Sequence, residues 1–220
     1  MSLALFDLDN TLLAGDSDYS WGQFLIELGV VDRDEYEQAN QRFYDDYQAG
    51  RLDIHEFAAF AFRPLVENAL ADLERWREQF LRERIAPIML PAGREKIEAH
   101  RQAGDDIVII TATNRFITEP IAAAFGVSQL LATEPEFRDG AFTGRIAGIP
   151  CFQQGKVERL MQWLAETGGT LDESWFYSDS HNDIPLLERV VHPVAVDPDD
   201  ALRVVAEERG WDMVSFRGAP

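Results

Sequence analysis

The chain has 220 residues, 46% of them apolar and 27% charged, which is enough to bury a core and rules out a globally disordered chain. A formal net charge of -19 sets it against nucleic acid and anionic membranes, and any phosphorylated ligand then needs a local cation or helix N-terminus. A single cysteine, Cys151, excludes an internal disulfide and suits a reducing compartment. The first apolar run, Leu3 to Phe6, stops at Asp7 and does not read as a secretory signal. No run approaches the roughly 20 apolar residues of a membrane span. The expectation is a soluble, cytoplasmic protein. Nothing in the sequence speaks to its oligomeric state.

In chain order, Ser2 to Leu8 (SLALFDL) reads as a buried strand that runs into two acids. From about Asp16 to Arg84 the character becomes helical. Trp21, Phe24, Leu25 and Leu28 recur at helical spacing, as do Phe57, Phe60 and Ala61, then Leu70, Leu73 and Trp76. Gly29, Gly50 and Pro64 mark breaks. The aromatic residues here (Trp21, Phe24, Phe43, Tyr44, Tyr47, Phe57, Phe60) are expected mainly between helices, one or two of them lining a pocket. Pro87 and Pro91 bracket a turn, Ala92 to Gln102 is predicted helical, and Gly104 ends that helix. Asp106 to Ala112 (DIVIITA) reads as a second buried strand, Asn114 to Phe125 as a helix, and Ser128 to Ala132 as a short strand. Glu136 to Ile149 reads as a hairpin turning at Asp139-Gly140. A helix over Gln154 to Thr167, a strand at Ser174 to Ser178, a short helix at Ile184 to Arg189, a strand at Val191 to Val196 and a helix over Asp199 to Glu208 complete the pattern. Alternating strands and helices predict an α/β fold, a three-layer, Rossmann-like parallel sheet with an inserted helical cap.

Four groups of residues carry candidate chemistry, each at the end of a strand or the start of a helix. Asp7-Leu8-Asp9-Asn10-Thr11 offers two carboxylates one residue apart. One can attack phosphorus and the other can protonate a leaving alcohol. The same pattern also suits a solvated loop with a helix cap. Thr111 follows DIVII, where a hydroxyl and the succeeding N–H groups can bind a phosphate oxygen, or merely cap a helix. Lys156 near a helix start can neutralise phosphate and carboxylates together, though a lone lysine is usually a surface residue. Ser178-Asp179-Ser180-His181-Asn182-Asp183 brings two acids to a strand–helix junction, a suitable place for Mg²⁺ or for an N-cap. The four histidines, His55, His100, His181 and His192, lack zinc-ligand spacing, and His181 is expected to point to water. Cys151 has no activating partner in sequence and reads as a small buried residue.

Each group is weak alone, but their order and shared location at strand ends are specific. Together DLDNT, Thr111, Lys156 and SDSHND resemble the four motifs of the haloacid dehalogenase superfamily, over nearly the whole chain. The helical insertion between the first two motifs, the stretch DGAFTGRIAGIPCFQQGK and the Asn-Asp pair resemble its phosphoserine phosphatase-like branch, including histidinol-phosphatases. The resemblance implies a catalytic core at 1–14 and 86–220 and a helical cap at 15–85. It implies Asp7 as nucleophile and Mg²⁺ ligand, and Asp9 as general acid–base with a Mg²⁺-binding carbonyl. Thr111 and Lys156 would hold the phosphoryl group. Asp179 would bind Mg²⁺, Asp183 would support it, and Asn182 would contact the phosphate or Lys156.

Two departures bear on the substrate. TATN stands where the phosphoserine phosphatases resemble SGG, putting a bulkier, more polar pair, Thr113-Asn114, at the pocket floor. Asp16 occupies the place of an acid that binds the amine of phosphoserine. Arg63 is the cap arginine expected to meet a substrate carboxylate. The implied partner is a small phosphorylated metabolite bearing an amine, histidinol phosphate ahead of phosphoserine. A phosphotransferase or mutase shares every motif, and a non-catalytic phosphometabolite-binding protein stands as the alternative of another class.

Overall fold

The computed structural model describes residues 2–218. Strand β1 (Leu3–Phe6) is wholly buried and lies at the centre of a six-stranded, all-parallel sheet in the order β3-β2-β1-β6-β7-β8. The other members are β2 (Asp106–Asn114), β3 (Gln129–Thr133), β6 (Ser174–Ser178), β7 (His192–Val196) and β8 (Asp212–Val214). A separate antiparallel hairpin joins β4 (Pro135–Arg138) to β5 (Ala141–Ile146), turning at Asp139-Gly140, both at positive φ (52° and 85°) as a tight hairpin requires.

Side chains alternate across the central strands, so the sheet divides two apolar cores. Ala4 and Phe6 of β1 point into one and Leu3 and Leu5 into the other. Helix α6 (Pro91–Ala103) and α7 (Arg115–Ala124) cover the first face. Helices α8 (Gln154–Thr167), α9 (Ile184–Leu187) and α10 (Asp200–Arg209) cover the second. This is the three-layer α/β architecture expected from the strand–helix alternation. Leu5 is fully buried, so its truncation to Ala should cost roughly 2–5 kcal/mol.

From Ser17 to Phe80 the chain is a run of helices: α1 (Ser17–Glu27), α2 (Arg33–Gln48), α3 (Ile54–Ala61), α4 (Arg63–Glu67) and α5 (Leu70–Phe80). Helix α5 runs without a break into a π-helical turn at Leu81–Ile85 and a 3₁₀ turn at Ala86–Ile88. The two ends of this insertion lie side by side. Ala14 donates its N–H to Ile88 and Leu90 donates to Leu12, at 2.8 and 3.0 Å. Trp21 of α1 packs edge-on against Phe80 of α5 and Phe116 of α7, with centroids 5.2 and 6.3 Å apart, so the insertion shares the first core. Strand β5 packs against α3 and α4, which joins the hairpin to the insertion as well.

Sequence and structure differ at a few edges. β8 has no counterpart in the sequence pattern, and its three residues are all exposed. The segment expected as a helix over Ile184 to Arg189 is one 3₁₀ turn (His181–Asp183) followed by four α-helical residues. Among the described residues, no helix is long and apolar enough to cross a membrane.

Candidate active site

The strand order reverses at β1, because the chain first builds outward through β2 and β3 and then returns to add β6 on the other side. Ligands of open α/β sheets bind beside the carboxyl ends of strands at such a switch point. Asp7 directly follows β1 there, its N–H bonded to Tyr177 of β6. Thr111 lies in the last part of β2, Asp179 directly follows β6, and Lys156 sits in the first turn of α8. These residues are far apart in sequence and converge because the parallel sheet brings its strand ends to one edge.

The centre is a buried charge cluster. The Lys156 ammonium donates to Asp7 Oδ1 at 2.7 Å and to Asp183 Oδ2 at 2.8 Å. Ser178 adds a hydrogen bond to the same Asp183 oxygen at 2.6 Å. Burial would drain the Lys156 proton, but Asp183 and Asp7 outweigh it and hold the ammonium charged well above the usual range. An ammonium has three N–H bonds, so one remains for a ligand oxygen. Gly155 lets the chain reach this position, since a Cβ there would stand 2.1 Å from the Pro150 carbonyl oxygen.

Asp7 and Asp9 differ in their surroundings. Burial pushes the Asp7 carboxyl up to about 7 against the pull of Lys156. Asp9 is half-buried with both oxygens engaged: Oδ1 accepts from the Ser17 N–H at 2.6 Å and Oδ2 from the Thr113 hydroxyl at 2.7 Å. Desolvation, then the neighbouring Asp16, raise it to about 7 as well. Asp179 accepts from the Thr11 hydroxyl at 2.9 Å, and burial, then Asp7, hold its carboxyl well above the ordinary range. Thr111 is buried and its hydroxyl accepts from the Thr113 N–H at 3.2 Å, so the two threonines on one face of β2 are linked.

A cavity of about 740 Å³, counting its mouth, opens over this cluster. Asp7, Asp9, Thr111, Lys156, Asn182 and Asp183 line its floor. Asp16, Asp18, Asn40 and the rings of Tyr19, Phe43, Tyr44, Tyr47 and Phe57 line the side formed by the insertion, with Phe152 from the core. Asp16 caps α1, its Oδ1 accepting from the N–H groups of Asp18 and Tyr19 at 2.9 and 2.8 Å. Burial raises its carboxyl. The C-terminal end of α2 meets the loop after β6. The Tyr47 hydroxyl donates to Ser180 at 3.2 Å, and the Asn182 amide donates to the Tyr47 carbonyl at 3.1 Å. Gly50, at φ +66°, lets His181 approach, since a Cβ there would stand 3.1 Å from His181 Nε2.

Some residues stand elsewhere than the sequence suggests. Arg63 does not line the cavity. It begins α4, and its guanidinium pairs with Glu35 of α2 at 2.6 Å, which engages it outside the cavity lining. Asn182 bonds Gln153 and Tyr47 rather than Lys156. His181 bonds Asp199 at 2.7 Å instead of pointing to water. Cys151 is buried, and burial pushes its thiol up to about 12, which leaves it unreactive at neutral pH. Sequence reasoning missed Asp18, Tyr19 and Phe152 in the cavity wall. Asp18 lies two residues beyond Asp16 in the same helical turn, which is the signal that was available.

With the geometry established, likeness to known proteins is decisive for the family. The family described as haloacid dehalogenase-like hydrolase matches residues 4–188. The chain belongs to the haloacid dehalogenase-like hydrolases. This hydrolase is 44% identical over 220 residues to a histidinol-phosphatase of Neisseria meningitidis serogroup C (strain 8013), covering 98% of this chain and 99% of that one. A crystal structure of a protein of unknown function from Bordetella pertussis Tohama I superposes with a TM-score of 0.92 at 45% identity, over 98% of each chain. A phosphoserine phosphatase solved as a phospho-aspartyl intermediate analogue has the same fold, with a TM-score of 0.71 at 17% identity over 98% of this chain and 93% of that one. The hydrolase is therefore a phosphatase of this family.

Proposed function

We propose that this phosphatase hydrolyses a small, amine-bearing phosphate monoester, histidinol phosphate in preference to phosphoserine, through a phosphoryl group carried on Asp7. The observation that carries this reading is the charge pattern of the cavity. Among the described residues Lys156 is the only basic one lining it, at the floor, while Asp16 and Asp18 stand in the wall formed by the insertion. A phosphoryl group suits the floor and a cation suits the wall. A substrate carboxylate would meet those two acids and, among the described residues, no arginine, which weighs against phosphoserine.

In the proposed reaction a carboxylate oxygen of Asp7 attacks phosphorus as the bond to the leaving oxygen breaks. The Asp9 carboxyl gives its proton to that oxygen, and the alcohol departs. Water then attacks phosphorus and yields a proton to Asp9, the Asp7–phosphorus linkage breaks, and inorganic phosphate leaves. A carboxyl poised near 7 can give and take a proton at neutral pH. Lys156 offsets charge on the phosphoryl oxygens in transit.

The residues fit Mg²⁺. Asp7 and Asp183 share one ammonium, and the charges of both bear on Asp179 nearby, which leaves the cluster in need of positive charge. Among the described residues no group of three or more acids, histidines or cysteines forms a ready-made metal cage. That suits an ion that keeps several waters and takes only one or two carboxylates. Asp7, Asp179 and the Asp9 carbonyl would hold it, with Asp183 in support. When bound it would offset phosphoryl charge.

The proposed domain division keeps 15–85 as a cap, with the paired segments at Leu12–Ala14 and Ile88–Leu90 as its hinge. A cap closing over the floor would exclude bulk water during transfer. The test is a Mg²⁺-supplemented phosphate-release screen over histidinol phosphate, phosphoserine and phosphoethanolamine, with and without acceptor alcohols. Histidinol phosphate should lead. Equal, slow release from all three would refute the substrate reading. Acceptor phosphorylation exceeding release would favour a phosphotransferase.

A further inference from the structure

Asp16 and Asp18 both stand in the acidic wall proposed to face the substrate's cation, but they are not equally engaged by the protein. The carboxylates around Asp18 are already occupied. Asp9 has both oxygens bonded, and Asp16 spends one oxygen on capping α1. Among the described residues no hydrogen bond or ion pair reaches the Asp18 carboxylate. An acid in the first turn of a helix is ordinarily explained by the helix dipole, and Asp34 and Glu35 at the start of α2 are of that kind, both exposed. Asp18 is half-buried instead, beside aromatic rings.

Its location is unusual in a second way. A narrow recess of about 190 Å³, counting its mouth, lies beside the main cavity, and the two share Asp18, Ile54, Phe57 and Ala112 as a common wall. The far side of the recess is formed by Phe62, Asn114 and Thr133, among others. Asp18 thus stands where a substrate reaching past Asp16 would place its distal end, between flat apolar surfaces and an unpartnered carboxylate. Flat rings on the walls suit a planar group, and a half-buried carboxylate without a donor suits one that offers an N–H.

We infer that Asp18 is a specificity-determining residue whose carboxylate accepts an N–H from a nitrogen heterocycle at the distal end of the substrate. This rests on the reading that the site takes an amine-bearing phosphate monoester such as histidinol phosphate, and it adds which residue meets a planar, nitrogen-bearing group set beyond the amine. Burial, then the charge of Asp16, raise the Asp18 carboxyl well above its ordinary range, so a cationic or strongly donating partner there would be favoured.

The test compares kcat/KM for histidinol phosphate, which has both an amine and an imidazole, with phosphoethanolamine, which has the amine alone. Wild type, Asp18→Asn and Asp18→Ala are measured with Mg²⁺, and p-nitrophenyl phosphate reports the reaction on wild type. The ratio of the two kcat/KM values should fall roughly tenfold or more in Asp18→Ala, mostly through KM, and by less in Asp18→Asn, whose amide oxygen still accepts. Equal losses on both substrates, or an unchanged ratio in both variants, overturn the role of Asp18. A wild type that cleaves p-nitrophenyl phosphate but neither amine-bearing compound overturns the amine reading itself, and this inference with it. Asp18→Asn is nearly isosteric and keeps the N–H that Asp16 caps, so it reads specificity even if Asp18→Ala folds poorly.

Discussion

Replacing Lys156 by Met tests whether its ammonium holds the charge cluster together. Met has similar length and no charge, so packing changes little. Lys156 and its partners Asp7 and Asp183 have side chains only 3–8% exposed, so solvent cannot take over the lost charge. In the metal-free variant the buried acid cluster has lost the cation that paired it and must hold one more unneutralised charge or one more proton. Keeping one further carboxyl protonated costs roughly 1.4 kcal/mol for each pH unit above its unfolded value. From pH 5 to pH 8 the penalty relative to wild type should therefore grow by roughly 4 kcal/mol, within the range for breaking a buried ion pair. At about 2–4 °C per kcal/mol for a chain of this size, the gap in Tm should widen by roughly 8–16 °C. Thermal melts of both proteins in EDTA at the two pH values measure it. A gap equal at pH 5 and pH 8 would refute the reasoning.

Two further outcomes follow from the site. Asp9→Asn removes the proposed proton donor, so kcat/KM on an alkyl phosphate should fall by roughly 10²–10⁴ while kcat/KM on p-nitrophenyl phosphate, whose leaving group needs no proton, falls much less; equal losses in kcat/KM would deny Asp9 that role. Asp7 and Asp9 titrate near 7 when folded and near 3.8 when unfolded, so the folded metal-free protein binds more protons between those values. Their contribution to stability is full below about pH 4 and is lost as pH rises through about 7, and Mg²⁺ binding near pH 6 should expel protons. Calorimetry in two buffers of different ionisation enthalpy would show this, and buffer-independent heats would contradict it.

The strand ends were readable because burial and chemistry change abruptly there. LALF and DIVII are continuous apolar runs that end in polar groups, and a parallel sheet leaves little choice about which edge those groups share. Gly104, a left-handed helix end, was equally visible. The wall of the cavity was not. Arg63 was expected over the site because a helical pattern gives spacing but not the direction in which a short helix such as α4 faces. Asp18 looked like any first-turn acid, and only the fold shows that it is half-buried beside rings. β8 is too short and too exposed to leave an apolar signature. The π turn at Leu81–Ile85 has no proline or glycine to announce it.

The clamp on Asp9 has a consequence for how this phosphatase can change. One of its two oxygens is held by the first N–H of α1, the same turn that carries Asp16 and Asp18. The group proposed to move the proton and the groups proposed to face the substrate's far end are thus fixed to one rigid piece of backbone. A substitution that shifts this turn to admit a new substrate also shifts the carboxyl at the bond being broken. Selectivity and speed are mechanically geared together here, and a variant redesigned in α1 for a different metabolite will need a compensating change at Thr113 to recover its rate.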